Sequence, residues 1–465
     1  MLNDPIPDVV VLLPGILGSV LQKNGKDVWA ISGSAIGRAL ATNWEAIQNL
    51  ALKDDSEECD LGDQVTAPRL IDDVHLIPWL WKIDGYTRIR NALSTSFRDI
   101  KAGVNLFDFP YDWRRDNRVA AQRLKKESAK WLEERRKSTG NENAKLILIC
   151  HSMGGLVARY YLEVLEGWRD TLALITFGTP YRGSMNALNF IANGMQKKFG
   201  PVPIVDLSNL LRSFTSVYQL LPIYPCHDEG AGMVRLEVAK NIPCLDPKRA
   251  QAALRFHDEI RDAVTRNLNN EEYLQNRYLI HPMVGTRQPT LQSSRYIDKF
   301  EMLYSYQGSD KDGDGTVPSV SATPIEIEKE KREVFIAEVH GSIQNAPEVW
   351  AHVESVLKNS RQDLSIFKAA FDLRPDPVRL SLMIEDLYEQ GESIRPRARP
   401  DRAGVSLTAE LTEVNGLRAS KQVMTETPDG WYVTEFSPQP EGVYRVRVSG
   451  EPGVRPVRDV FAVSG

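Results

Sequence analysis

The sequence predicts an α/β fold, a parallel sheet flanked by helices, followed by a smaller all-β domain. Three observations predict it. Short continuous apolar runs recur between residues 9 and 339 and alternate with segments of helical spacing, the pattern of strands buried on both faces. One of these runs, Leu146 to Ile149, enters the turn Cys150-His151-Ser152-Met153-Gly154-Gly155 and leaves with Leu156, Tyr160, Val164 and Leu165 at helical spacing. Beyond Arg374-Pro375-Asp376-Pro377 the helical periods stop and apolar residues alternate with polar ones.

The first strand candidate is Val9 to Leu13, which runs into Pro14-Gly15-Ile16-Leu17-Gly18-Ser19. Residues 20–80 show few periods and carry the apolar cluster Leu76-Ile77-Pro78-Trp79-Leu80-Trp81, read as a lid or binding loop, with Trp79 and Trp81 as candidate substrate contacts or as a satellite core. Helical spacing returns over Tyr86 to Phe97. A strand is expected over Val104 to Phe109, before Pro110-Tyr111-Asp112-Trp113-Arg114-Arg115, and a charged surface helix over Asn117 to Ser138. After the central strand–turn–helix, Leu172 to Phe177 reads as the next strand. Residues 184–275 are mostly helical in composition and fit a cap inserted between sheet strands. Strands are expected over Tyr278 to Val284, Phe300 to Tyr306 and Val334 to Val339. Pro347 to Leu357 is an amphipathic helix, with its proline suited to the first turn. In the last part, Val378 to Ile384, Val405 to Leu411, Trp431 to Phe436, Val443 to Val448 and Val457 to Val463 are short strand candidates. The basic segment Glu392 to Arg402 reads as a loop. This spacing predicts an immunoglobulin-like β-sandwich over residues 375–465, after an α/β domain over 1–373.

Composition narrows the function classes. A chain of 465 residues with 42% hydrophobic and 26% charged residues is expected to be globular, with about two to three domains. A formal net charge of −5 gives no argument for nucleic acid. The four cysteines, Cys59, Cys150, Cys226 and Cys244, form no zinc-type cluster; Cys226 and Cys244 could pair, but free buried thiols are expected. The N-terminal residues lack a cationic stretch and a long apolar core, and no run reaches the length of a membrane span, so a cytoplasmic protein is expected.

The turn at Ser152 has the context of a nucleophile elbow, a strand, a sharp turn and a helix, with small residues two positions either side of the serine. Cys150 stands where glycine is usual, a sterically mild change. A serine hydroxyl is a weak nucleophile and needs a base, and the base needs an orienting carboxylate. Of seven histidines, His340 alone follows a predicted strand and precedes the last helix of the α/β part. His281 and His352 fall within predicted elements, His227 and His257 in the cap and His75 in the insertion. His151, beside the serine in a tight turn, is expected to point away from it. The acid is expected in Asp310-Lys311-Asp312-Gly313-Asp314-Gly315. That stretch begins like a calcium loop, but its ninth and twelfth positions are Pro318 and Ser321, so no metal is assigned. Backbone N–H groups of Met153 and Ile16 are the candidate oxyanion donors.

Four separated motifs, LLPGILGS, FPYDWRR, CHSMGGL and DGDGTVP, with a histidine after the next strand, resemble the lecithin:cholesterol acyltransferase family over roughly residues 9–360. The resemblance implies an α/β-hydrolase fold with a lid (about 20–80) and a cap (about 184–275). It implies Ser152 as nucleophile, His340 as base and Asp314 as the orienting acid, with Asp312 the runner-up. Ile16 and Met153 match the oxyanion-hole positions, and Asp112 and Arg114 match a motif with a supporting role. The lid disulfide of secreted relatives has no evident counterpart. The implied activity is a serine acyl hydrolase or acyltransferase on lipid esters, phospholipids foremost, with no cofactor and with transient contact to a membrane surface. A carboxylesterase on small soluble esters and a binding protein on a hydrolase scaffold are the rival readings. The C-terminal domain lies outside the resemblance and is a candidate site for a protein partner.

Overall fold

A computed structural model describes residues 6–29, 47–56, 60–72, 75–77, 81–199, 202–330, 333–359, 378–414, 419–451 and 453–464. Its centre is a six-stranded sheet. The strands are β1 (Val9–Leu13), β2 (Leu106–Asp108), β3 (Leu146–His151), β4 (Thr171–Phe177), β5 (Leu279–Gly285) and β6 (Val334–Ile336). Their order across the sheet is β6-β5-β4-β3-β1-β2, and every pairing is parallel. The five residues of β1 and the six of β3 are all buried, as the continuous apolar runs require. The chain runs from β1 outward to β2 and then returns to place β3 on the other side of β1. In open parallel sheets such a reversal opens a crevice at the carboxyl ends of the strands. Both the glycine turn after β1 and the serine turn after β3 emerge there.

Helices cover the sheet. Asn117–Thr139 is closed at its start by the Asp116 side chain, which accepts from the Arg118 N–H, and at its end by Gly140 in the left-handed conformation. Gly154–Glu163 follows the elbow and is buried throughout. Pro347–Asn359 extends the predicted amphipathic helix by two residues.

Several expectations are corrected. Phe300–Leu303 is a strand of a small antiparallel pairing with Ser293–Tyr296, outside the central sheet. The block after residue 184 carries the helices Met185–Asn193, Ser208–Ser213, Thr215–Gln219, Pro247–Asn267 and Glu271–Asn276. It also carries an antiparallel pair, Gln196–Phe199 with Val202–Asp206. In the insertion after β1, the described residues Leu21, Trp29, Ile47, Leu50 and Leu70 are buried in the main core. Trp79 lies outside the described residues, and so does the side chain of Trp81, whose backbone is in the strand Trp81–Ile83. Cys150 and Cys226 are buried free thiols, but Cys244 is exposed.

The C-terminal part forms two further sheets around a second apolar core that includes Leu380, Tyr432, Val446 and Phe461. One sheet contains Leu380–Met383, Arg397–Pro400 and Tyr432–Val433, and the other contains Ser406–Glu413, Gly442–Glu451 and Val454–Ser464. Arg397–Pro400 falls in the segment expected to be a loop. Its basic residues hid a two-residue period, because Ile394, Pro396 and Ala398 are buried while Arg395, Arg397 and Arg399 are exposed. Val443, Val460 and Ala462 belong to the main core, so the two parts share apolar packing. Among the described residues, no helix is long and apolar enough to cross a membrane.

Candidate active site

Ser152 follows β3 directly and has φ +51°, the strained left-handed backbone expected of a nucleophile elbow. Its amide donates to the Phe177 carbonyl at 2.9 Å, which ties the turn to the end of β4. Two glycines permit the crossing of strand and helix. A Cβ on Gly154 would fall 2.5 Å from the Pro14 carbonyl oxygen, and one on Gly155 would fall 2.1 Å from Thr179 Oγ1. Cys150 is fully buried and paired in register with Thr176 of β4, so the departure from glycine is absorbed within the sheet.

His340 lies beyond β6. Its Nε2 accepts from the Ser152 hydroxyl at 3.0 Å, and its Nδ1–H donates to Asp314 Oδ2 at 2.7 Å. Of the two candidate acids, Asp314 is therefore the one at the histidine. Its other oxygen, Oδ1, accepts from the Thr316 and Val317 amides at 2.9 and 2.7 Å. Asp312 instead accepts from the backbone amides of Arg287 and Gly313, and Asp310 from Gln292 and from the Asp312 amide. These carboxylates brace the loop on itself. Among the described residues, no three His, Cys, Asp or Glu side chains are grouped to hold a metal ion.

Met153 follows the serine in the chain, and Ile16 lines a pocket together with Ser152. Gly15 presses against it so closely that a Cβ there would lie 2.8 Å from Ser152 Cβ. Ile16, Leu17, Ala187, Leu211, Val217 and Leu220 share a pocket with Ser152 of about 30 Å³. The Pro110–Arg115 motif ties this side together. The Tyr111 hydroxyl donates to the Pro14 carbonyl at 2.9 Å, and Trp113 Nε1 donates to the Ser19 carbonyl at 2.9 Å. Fully buried Arg114 donates to Asp112, Asp63 and the Leu50 carbonyl.

The ring of His151 bonds to groups other than Ser152 and braces the loops around the site. Gly15 N–H donates to the Tyr86 hydroxyl at 3.0 Å, Tyr86 donates to His151 Nδ1 at 2.9 Å, and His151 Nε2–H donates to the His340 carbonyl at 3.1 Å. The carbonyl can only accept, which fixes the tautomer. Burial, helped by neighbouring His340, lowers the His151 pKa to about 3, so the ring stays neutral. Two glycines that sequence reasoning passed over make room for the acid and the base. Gly178, with φ +54°, would place a Cβ 2.7 Å from Asp314 Oδ2, and Gly285 would place one 2.3 Å from Asp314 Cβ. Gly178 follows a predicted strand directly, which was its available signal.

A serine held this way can lose its proton to the imidazole while attacking a carbonyl carbon, and the carboxylate stabilises the imidazolium that forms. Residues 82–359 match the family described as lecithin:cholesterol acyltransferase, more than half of the 465-residue chain. The chain belongs to the lecithin:cholesterol acyltransferase family. With that membership comes an enzyme class, a serine hydrolase or acyltransferase of the α/β-hydrolase kind acting on lipid-type substrates. The matched span of this family member includes Ser152, Asp314 and His340. The Gly15–Ile16 turn and the C-terminal sheets lie outside it.

Among solved structures, the family member resembles the Tle4-Tli4 complex at 14% identity and TM-score 0.47, covering 77% of this chain and 99% of that one. It also resembles the mature lipase BlEst2 of Bacillus licheniformis at 14% identity and TM-score 0.36, over 76% of this chain and 94% of that one. Phospholipase PlaB of Legionella pneumophila matches at 10% identity and TM-score 0.29, over 98% of this chain and 90% of that one. No curated protein matches the sequence.

Proposed function

We propose that this protein cleaves fatty-acyl esters of lipids, phospholipids foremost, through an acyl-enzyme on Ser152. His340 acts as general base and then general acid, and Asp314 orients it. The Ile16 and Met153 amides receive the oxyanion. The observation that carries this reading is the hydrogen-bonded chain Ser152–His340–Asp314, with links of 3.0 and 2.7 Å, opening on an apolar pocket at the sheet's switch point. Attack by Ser152 Oγ on the ester carbonyl forms the acyl-enzyme and releases the alcohol, which takes the proton held by His340. Water or a second alcohol then attacks the acyl group and regenerates the serine. The reading includes transient contact with a lipid surface, a cytoplasmic location, a lid over about residues 20–80 and an immunoglobulin-like sandwich for the two C-terminal sheets.

The test is incubation with mixed phospholipid vesicles and mass spectrometry of the products, with Ser152→Ala as control. Free fatty acid and lysolipid that disappear in the variant support a phospholipase, and new acylated alcohols support a transferase. One observation favours a second reading, a carboxylesterase on small esters. The pocket beside Ser152 holds only about 30 Å³, room for about two or three waters. A long acyl chain requires Leu211, Val217 and Leu220 to move apart. Cleavage of p-nitrophenyl butyrate with none of long-chain lipid would establish this reading in place of the first.

A further inference from the structure

A cleft of about 570 Å³ opens beside the triad, and the C-terminal sheets form one of its walls. On the α/β side it is lined by Asn186, Phe190, Tyr304, Thr316 and His340. On the other side stand Leu382, Met383, Glu385, Asp386, Arg395 and Arg397. Asn186, Phe190 and Thr316 also line the apolar pocket at Ser152, so the two spaces share a wall. An apolar pocket adjoining a charged cleft across a nucleophile has the form of an amphiphile site.

The far wall is anchored to the loops that carry the triad. Leu382 N–H donates to Gln288 Oε1 at 3.1 Å, Gln288 Nε2 donates to the Leu380 carbonyl at 3.3 Å, and the Gln288 amide donates to the Gly313 carbonyl beside Asp314. The Arg458 amide donates to buried Glu338 at 2.9 Å, two residues before His340. Arg445 pairs with buried Asp84, whose amide donates to the Gly341 carbonyl at 2.8 Å. The arginines of this wall therefore sit at a set place relative to the serine.

Resting on the phospholipid reading above, we infer that this cleft binds the head group of a zwitterionic glycerophospholipid, its phosphodiester on Arg395 and Arg397 and its ammonium on Glu385 and Asp386. Arg397 opens the strand Arg397–Pro400 and Arg395 lies two residues before it, both exposed in a stretch where buried and exposed residues alternate; about 7 Å of extended chain separates them, a spacing from which two guanidinium groups reach one phosphate. Arg395 pairs with exposed Glu435 at 3.3 Å; Arg397 pairs with exposed Asp429 at 3.7 Å and lies over the Trp431 ring, 4.9 Å from its centroid, so the ion pairs that a phosphate would replace are both exposed and weak. The adjacent pair of acids makes the cleft complementary to a head group of both signs. Only a short glycerol bridge separates the scissile carbonyl from the phosphate, which matches two spaces sharing a wall.

The experiment compares dioleoylphosphatidylethanolamine, dioleoylphosphatidylglycerol and dioleoylglycerol in mixed micelles, for the full chain and for Arg395→Gln/Arg397→Gln. The inference expects the ratio of phosphatidylethanolamine to dioleoylglycerol turnover to fall at least tenfold in the double variant. Circular dichroism and labelling of Ser152 by a fluorophosphonate verify its fold. An unchanged ratio overturns the inference while leaving the phospholipid reading in place. Wild-type cleavage of dioleoylglycerol with no cleavage of either phospholipid overturns both. A second variant, Glu385→Lys/Asp386→Asn, is expected to shift preference at least fivefold from phosphatidylethanolamine toward phosphatidylglycerol. No shift overturns the assignment of the ammonium.

Discussion

His151 Nε2 donates a hydrogen bond to the carbonyl oxygen of His340 at 3.1 Å, so the residue beside the nucleophile holds the backbone of the proposed base. The same ring accepts from Tyr86, which in turn accepts from Gly15 beside the oxyanion turn. One imidazole thus fixes three loops that arrive from different strands. The misplacement of a reacting group by about 1 Å can cost on the order of 100-fold in rate. We therefore expect His151→Phe to lower kcat by about 10- to 100-fold with little change in KM. A fall in KM affinity with kcat retained would assign His151 to substrate binding instead.

Acid stability should carry the signature of the same ring. The folded pKa of His151 is lowered to about 3 from 6.5, chiefly by burial. Between those values the unfolded chain binds a proton that the folded one refuses, so stability is lost as pH falls from 6.5 toward 3. His151→Phe removes this contribution. Its Tm should drop less steeply than that of the wild type between pH 6 and 4, and parallel curves would contradict the assignment.

Glu338 should give a pH dependence of the opposite kind. Burial raises its pKa to about 8, against the favourable contacts to Arg458. The folded state holds the proton that the unfolded state loses near 4.5, so stability declines as pH rises from about 4.5 to 8. Glu338→Gln keeps an acceptor for the Arg458 amide and has no charge to bury. The Tm of the variant minus that of the wild type should increase from pH 5 to pH 8.5, and a constant difference would refute the account.

Replacement of Asp314 by Asn should lower kcat by about 10⁴-fold, because the amide favours the wrong imidazole tautomer while preserving shape. Fluorophosphonate labelling of Ser152 should slow in parallel. Full activity in Asp314→Asn, with loss of activity in Asp312→Asn, would return the role to the runner-up.

Gly178→Ala tests the room made for the acid and base. The added methyl would sit 2.8 Å from His340 Nδ1 on a backbone with φ +54°. Left-handed backbone at a non-glycine residue costs about 1–2 kcal/mol, and the contact adds to it. Urea denaturation should show a loss of about 1–3 kcal/mol, and activity should fall further than this loss explains. A variant of normal stability and activity would mean that the two loops move apart without cost.

Much of this molecule is legible in the chain because its signals are local. A strand buried on both faces must be a continuous apolar run, and β1, β3 and β4 begin and end within two residues of where such runs predict. The elbow needs small residues around Ser152, and a base at a strand end narrows seven histidines to His340. These constraints act over a few residues of contiguous backbone, so the order of residues alone expresses them. Where a period was disguised, as in the arginine-rich strand at 397–400, side-chain chemistry outweighed spacing and the element was missed.

The direction of a side chain is another matter. His151 is joined to Tyr86 across 65 positions and to His340 across 189, and no local pattern encodes which distant atoms will meet its ring. The choice of Asp314 over Asp312 depends likewise on which carboxylate the packing of β5 and Gly178 admits to His340. The arginines that wall the cleft come from a part of the chain beyond the family match. By itself the sequence determined most of the central elements, the enzyme class and the chemistry available at Ser152. Tertiary structure decided which groups hold that chemistry in place, because those contacts arise only when the sheet brings segments far apart in the chain within hydrogen-bonding distance.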